Sequence, residues 1–332
     1  MIFVASSGGA DSGTCGESSP CDTIAFALTK VDGGRNVIRL VGFNFIAPPT
    51  TTTVDRSVVI DASGSSLGAP VNMPLFDVRS PAAVTLEGGI LPNGSITVGA
   101  GSSLRVFAME VRAGLSVTNG TLSVINSKLT GVGAGCSGGS ISVSRTRFDG
   151  GWVQFTNCQT TVTRSRFEPA FDGALDGTGG TLRAENNVFV APGEFTDLIR
   201  AFSLVPGSAF VFNTIVNTNA QSVNQSPVAI TCDVTLNVSS NIIAYNSPNP
   251  LYTGCIAHAS LFDAIGAADA PGNPSGDPST FFTNKAGNDF HLAAGSPARN
   301  IGVAGLVSED YEGNARPVPS GSNPDVGAYE AP

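Results

Sequence analysis

The chain has 332 residues, a net charge of −9, an apolar content of 41% and a charged content of only 13%. An acidic chain gains nothing from counterion release on a phosphate backbone, so nucleic acid is a poor partner. No run of about 18 apolar residues is present to span a membrane. Forty glycines, with abundant Ser, Thr, Val and Asn, fit β-structure closed by tight turns.

In chain order, Ile2–Ala5 predicts a first strand. Met1 stands directly before it and is read as a start added to a mature domain, or as a native start. Asp22-Thr23 then caps an apolar run of Ile24, Phe26, Ala27, Leu28 and Val31, stopped by Gly33-Gly34. This predicts an amphipathic helix that covers the open first coil of a solenoid. Strand-like runs follow at 36–41, 57–60, 75–78 and 83–86.

The stretch from Leu122 to Phe189 repeats itself. Lys128, Arg147 and Arg166 are each 19 residues apart, and so are Leu129, Phe148 and Phe167. Each repeat has an inward pair, a bend, an inward small polar residue and an inward large apolar one. Examples are Leu122, Val124, Ser127, Leu129 and Leu182, Ala184, Asn187, Phe189. The large apolar position recurs after 19, 19, 22, 26 and 28 residues, ending at Ile215 and Ile243. A constant local pattern on an irregular step predicts loops of variable length on a constant coil, an all-β parallel β-helix solenoid. The small polar position (Ser127, Thr146, Ser165, Asn187, Asn213, Asn241) is assigned to the left-handed bend and to amide bonds between rungs. The repeat fades after Asn246, and the segments 248–250 and 267–280 read as loops. The resulting organisation is 1–35 as strand and capping helix, 36–247 as coils, and 248–332 as loop-rich C-terminal coils and cap.

Cys15 and Cys21 close a short loop. Cys136 and Cys158 are 22 residues apart, and Cys232 and Cys255 are 23 apart. One coil of separation puts two residues on neighbouring rungs about 4.8 Å apart, a spacing that suits a disulfide. Pairing Cys15–Cys21, Cys136–Cys158 and Cys232–Cys255 predicts an oxidising compartment; the alternative is free buried thiols in a cytosolic protein.

The ending is compositionally distinct. It contains Asp289-Phe-His-Leu-Ala-Ala-Gly-Ser-Pro-Ala298, Asp310-Tyr-Glu-Gly-Asn-Ala-Arg-Pro317 and Asp325-Val-Gly-Ala-Tyr-Glu330. With the opening Phe3-Val-Ala-Ser-Ser-Gly8 and Cys21-Asp-Thr-Ile-Ala-Phe-Ala27, and with Val58-Val-Ile-Asp-Ala62, it resembles secreted bacterial right-handed parallel β-helix proteins. These are of the pectate-lyase-like or choice-of-anchor type. The resemblance implies the right-handed fold and an extracellular or cell-surface location, while the fold hosts lyases, hydrolases, epimerases and adhesins alike. From the residues themselves, Asp325, Tyr329 and Glu330 with Arg299 and Arg316 predict a polar cap over the last coil.

Strand alternation turns Lys128, Arg147, Arg166, Asp149 and Glu168 outward, with Arg145 and Arg164 at the bends. Like charges stacked at rung spacing are destabilising. One reading is a solvated face on which each Arg pairs with the acid two positions on, worth about 0–1 kcal/mol per pair. The other is an anionic-sugar site. There Asp149, Glu168 and Asp172 or Asp176 would hold Ca²⁺ through oxygen ligands. Arg147 or Arg166 would bind a uronate carboxylate or, as the resemblance implies, act as base in β-elimination. Lys128, Arg145 and Arg164 would assist binding, and Trp152 and Phe155 would stack on sugar. The acidic, Gly-rich stretch 167–180 reads as a loop that would serve as a groove wall. The two histidines, His258 and His291, have no nucleophile or metal-ligand pattern around them, and His291 is assigned to packing. Two functions follow: a non-catalytic structural or binding protein facing polysaccharide or another surface component, and a Ca²⁺-dependent lyase of a uronate polymer.

Overall fold

A residue that alternates in and out along a strand, and recurs one coil later on the same side, can bury its face only against the coils above and below it. The computed structural model describes residues 1–46, 50–69, 73–170, 173–191, 197–218, 228–233, 235–245, 247–248, 250–264 and 272–332. The chain is an all-β, right-handed parallel β-solenoid of about ten turns with almost no helix. It divides into two compact units, Met1–Thr146 and Arg147–Pro332.

In the first unit, Ile2–Ala5 pairs in parallel with Val37–Val41, which pairs with Val58–Asp61 and then Ala83–Glu87. Further along, Leu104, Leu122 and Ile141 fall in one register row, and Val106, Val124 and Val143 in the next. All six are buried. A second sheet of short strands carries Leu91, Val111 and Leu129 in one buried row. The free edge of Ile2–Ala5 is closed by the Cys15–Cys21 loop, through Phe3 N–H to Cys15 O (2.9 Å) and Cys21 N–H to Phe3 O (2.9 Å). The helix spans only Ile24–Leu28, and Thr23 caps it by accepting from Phe26 N–H at 3.1 Å. It ends at Thr29, whose hydroxyl bonds back to Phe26 O, so Val31 lies beyond it. It packs on the first strand, on Val37–Val41 and on Thr52–Val54.

In the second unit, Phe148, Phe167, Phe189, Ile215, Ile243 and Phe262 form a single inward row. Its rings stack at 4.4 Å for Phe148–Phe167 and 4.9 Å for Phe167–Phe189. The coil continues past Asn246: Leu251–Thr253, Ala257–His258, Leu261–Asp263 and Ser275–Gly276 all pair in parallel with the turn before. Its composition reads as loop because these strands are only two or three residues long. Within the stretch assigned to a groove wall, Phe167 and Glu168 end the strand Arg166–Glu168, and residues 175–180 open the eleven-residue strand Leu175–Glu185. Its Gly179-Gly180 makes the bend within the strand at φ +69° and +68°.

The left-handed residue at the bend is the one before the small polar position. It is Asn126 and Arg145 in the first unit, and Arg164, Asn186, Phe212, Ser240 and Ala259 in the second. The small polar residue has a different task. Asn187 Nδ2 donates to Asn213 Oδ1 (3.0 Å) and Asn213 Nδ2 to Asn241 Oδ1 (3.2 Å), a buried amide ladder.

The C-terminal segment packs along the side of the coils. Phe281, Phe282, Phe290, Leu292, Ala298, Val326, Ala328 and Tyr329 share one buried cluster with Val188, Val190, Val216, Ile242 and Ala244, which lie on the outer face of the short-strand sheet. Arg316 and Glu330 meet inside it, with Nε 3.6 Å from Oε2 and both side chains sealed from solvent. Arg316 also donates to Asp325 O and Gly327 O at 2.8 Å each and lies over the Phe212 ring. Burial pulls its guanidinium down to about 10 and pushes the Glu330 carboxyl up. Arg299 donates to Pro332 O at 2.8 Å and to Ala294 O at 3.4 Å.

Candidate functional site

The outward charges lie on three-residue strands of the short sheet. In the second unit, Arg147–Asp149 pairs with Arg166–Glu168 so that Arg147 faces Arg166 and Asp149 faces Glu168. Two guanidiniums at rung spacing repel unless an anion intervenes. Glu168 provides it. Its Oε1 lies 2.6 Å from Arg166 Nε and its Oε2 lies 3.2 Å from Arg147 Nη2, while Asp149 Oδ1 holds Arg147 Nε at 2.5 Å. The column stops there, because the next residue in register after Arg166 is Val188.

The docked C-terminal segment completes this face. Arg164 pairs with Glu309, and Asn186 Nδ2 donates to Glu309 O at 2.8 Å. Arg166 lies 5.5 Å from the Phe290 ring centroid and donates to Asn288 O at 3.5 Å. As a result the Arg164 and Arg166 side chains are only 15% and 18% exposed, against 53% for Arg147. Beside them, His291 bridges two chain segments, with Nδ1 2.6 Å from Asp289 Oδ1 and Nε2 3.1 Å from Glu312 Oε1. Its ring packs against Tyr329 at 4.4 Å and Tyr329 against Tyr311 at 5.2 Å, both pairs tilted.

The electrostatics follow from these contacts. The hydrogen bond to Asp149 raises the Arg147 guanidinium, burial opposes it, and Glu168 adds to the rise. Burial raises the Tyr311 hydroxyl, and Arg166 and Arg147 pull it back in part. Burial lowers the His291 imidazole, but its bonds to Asp289 and Glu312 raise it by more.

The remaining residues named from the sequence are spread out. Lys128 is in the first unit, in register with Glu110, and Arg145 is exposed at a left-handed bend of the same unit. Trp152 is 42% exposed, but Phe155 is buried, which removes it as a sugar platform. Phe155 fills the space over Gly177, where a Cβ would lie 2.0 Å from the ring. Asp176 lies on the long sheet and pairs with Arg200, away from the strands of Asp149 and Glu168. Asp172 lies outside the described residues. Among the described residues no three acidic, His or Cys side chains are placed to hold a metal ion.

No family model and no curated protein matches the chain. Among solved structures, the crystal structure of pectate lyase Pel9A aligns over 100% of this chain and 96% of that one, with a TM-score of 0.50 and 17% sequence identity. The chain has a pectate-lyase-like fold. The likeness is one of coil architecture. In this pectate-lyase-like β-helix the arginine face is a surface of paired charges, with Arg147 its most exposed arginine. His291, Glu309, Tyr311 and Glu312 belong to it and were not assigned there from the sequence. The one available signal was the excess of cations over acids in the repeat, which required partners from elsewhere in the chain.

Among the described residues no cysteine is free, and the pairs Cys15–Cys21 and Cys232–Cys255 are formed. No helix among them is long and apolar enough to cross a membrane.

Proposed function

We propose that this chain is a secreted or cell-surface β-helix protein that binds a polysaccharide or another surface component without cleaving it. The observation that carries this reading is the state of the arginines. A general base must release its proton near the working pH. Arg147 is held the other way by Asp149, and Arg166 is half-buried against Glu168 and Phe290. A uronate carboxylate would have to displace carboxylates already in place. The oxidised cysteines support an extracellular site of action.

The second reading is a uronate lyase. It is favoured by the likeness to pectate lyase Pel9A and by the half-exposed Arg147. One experiment separates the two. The protein is assayed by ultraviolet absorbance for unsaturated uronate products over a polyuronide panel with and without Ca²⁺, and in parallel for retention on insoluble polysaccharides. The binding reading expects retention without product. Product that disappears in Arg147→Ala or Arg166→Ala overturns it in favour of the lyase.

A further inference from the structure

A cavity lies on a different part of the second unit. It encloses about 330 Å³ and is lined by residues of three successive turns, among them Ala209, Leu236, Asn237, Ile256 and His258. That volume is within the range of about 300–1,000 Å³ in which small-molecule sites fall. Register explains the convergence. Ala209 pairs with Asn237, and Val238 with Ala257, so Asn237 and Ile256 occupy the same outward row and His258 lies two residues further along. The inward partners Phe210 and Val238 are fully buried, which fixes the outward direction of Asn237. The hollow exists because Ala209 presents only a methyl group and Gly207, at φ +97°, presents none.

The lining has a definite chemistry. Among the described residues that line the cavity there is no Asp, Glu, Lys or Arg. The nearest carboxylate in sequence, Asp233, is consumed by Ser203 N–H (2.6 Å), Thr235 N–H (3.1 Å) and the Thr235 hydroxyl. Ser208 Oγ is likewise taken, by Val205 O at 2.8 Å and Leu182 N–H at 3.1 Å. The Asn237 amide and the His258 imidazole remain as exposed donors and acceptors. Beside them Ile256 is 58% exposed, a large apolar side chain in solvent at the rim, and Leu236 is buried.

Uncharged donors and acceptors next to an apolar surface match a ligand with hydroxyl edges and a C–H face. We infer that this cavity is a binding subsite for a neutral sugar unit, distinct from the arginine face. This deepens the binding reading above and rests on it. A uronate is disfavoured here because no described lining residue is a cation, and Arg183, one rung from Ala209 in the same row, is already paired with Glu185.

The sequence contains only His258 and His291, so the two imidazoles serve as probe and internal control. The protein is labelled with ¹⁵N-histidine and titrated with neutral tetrasaccharides of glucose, xylose, mannose and galactose, and with tetragalacturonate. The expected result is a saturable shift of the His258 signals with at least one neutral oligosaccharide while His291 stays fixed. Asn237→Ala and Ile256→Ala, both at exposed positions, should each weaken binding about tenfold, the effect of one lost hydrogen bond or apolar contact. A larger residue at Ala209, in Ala209→Trp, should abolish it. No movement of His258 up to about 10 mM ligand, weaker than useful millimolar binding, overturns the subsite. So does a stronger response to tetragalacturonate. Retention of the protein on a polysaccharide with His258 unmoved rejects this subsite and leaves the binding function standing. Loss of both rejects both.

Discussion

At the scale of single residues, the buried amides separate from the exposed charges. Asn213 is fully buried and uses every polar atom of its side chain. Its Oδ1 accepts from Asn187 N–H (2.9 Å) and Asn187 Nδ2 (3.0 Å). Its Nδ2 reaches Ala184 O (3.0 Å), Val211 O (3.1 Å) and Asn241 Oδ1 (3.2 Å). Removing it orphans groups on three rungs in a place where water cannot follow, and each orphan costs about 1–3 kcal/mol. Asn213→Ala should therefore lower unfolding free energy in urea by about 3 kcal/mol or more. Arg147→Ala removes a pair that is half in water and should cost about 0–1 kcal/mol. Equal losses in the two variants would mean that the ladder is ornamental to stability.

At the scale of elements, the coils were legible and the side-docked segment was not. Period-two alternation states burial directly, so Leu122, Val124, Ile141, Val143, Phe148 and Phe167 could be placed inward from their letters alone, and all are buried. The bend itself was placed correctly, with Arg145 and Arg164 in it, but its left-handed conformation was assigned one residue late, because Asn serves both left-handed backbone and amide ladders. The docking of residues 272–332 along the coil was missed, although a sign existed. Val188-Phe189-Val190-Ala191 and Ile242-Ile243-Ala244 are apolar without alternation, and strands buried on both faces read that way. Within the covering segment His291 ties Asp289 to Glu312, and this clasp gives a pH dependence. His291 sits above its ordinary 6.5, despite the lowering effect of burial, because of its bonds to Asp289 and Glu312. Its contribution is whole below pH 6.5 and is lost as pH rises through the raised value. Asp289 sits below its ordinary 3.8 because of its bonds from His291, so its contribution is whole above pH 3.8 and is lost as pH falls through the depressed value. The clasp is strongest between these limits. The difference in melting temperature between the native protein and His291→Gln should be largest from pH 4 to 6.5 and shrink above. Its size should be at most about 3 °C, since both groups remain partly in water. A difference that stays flat across a pH series of thermal melts would show that His291 acts through packing on Tyr329 alone.

At the scale of the whole molecule, each coil of a solenoid pairs only with its neighbours, so away from the docked C-terminal segment its stability is close to a sum of local terms. Cross-links should then act through the length of chain each one closes. Cys232–Cys255 spans 23 residues, a full coil, and Cys232 lies in register with Thr253 on the next turn. Cys15–Cys21 spans only 6 and fastens the loop that seals the first strand. Loop-closure entropy assigns about 3 kcal/mol to the longer link and about 2 kcal/mol to the shorter one. The paired variant Cys232→Ala/Cys255→Ala should therefore lose more stability in non-reducing urea than Cys15→Ala/Cys21→Ala. The opposite order would place the value of the short link in the native state, where Phe3 hydrogen-bonds to both Cys15 and Cys21 and an opened loop would leave the edge of the first strand bare. An unpaired edge of that kind recruits other chains. The two accounts are thus told apart a second time by light scattering, since only an exposed edge makes the short-link variant self-associate before it unfolds.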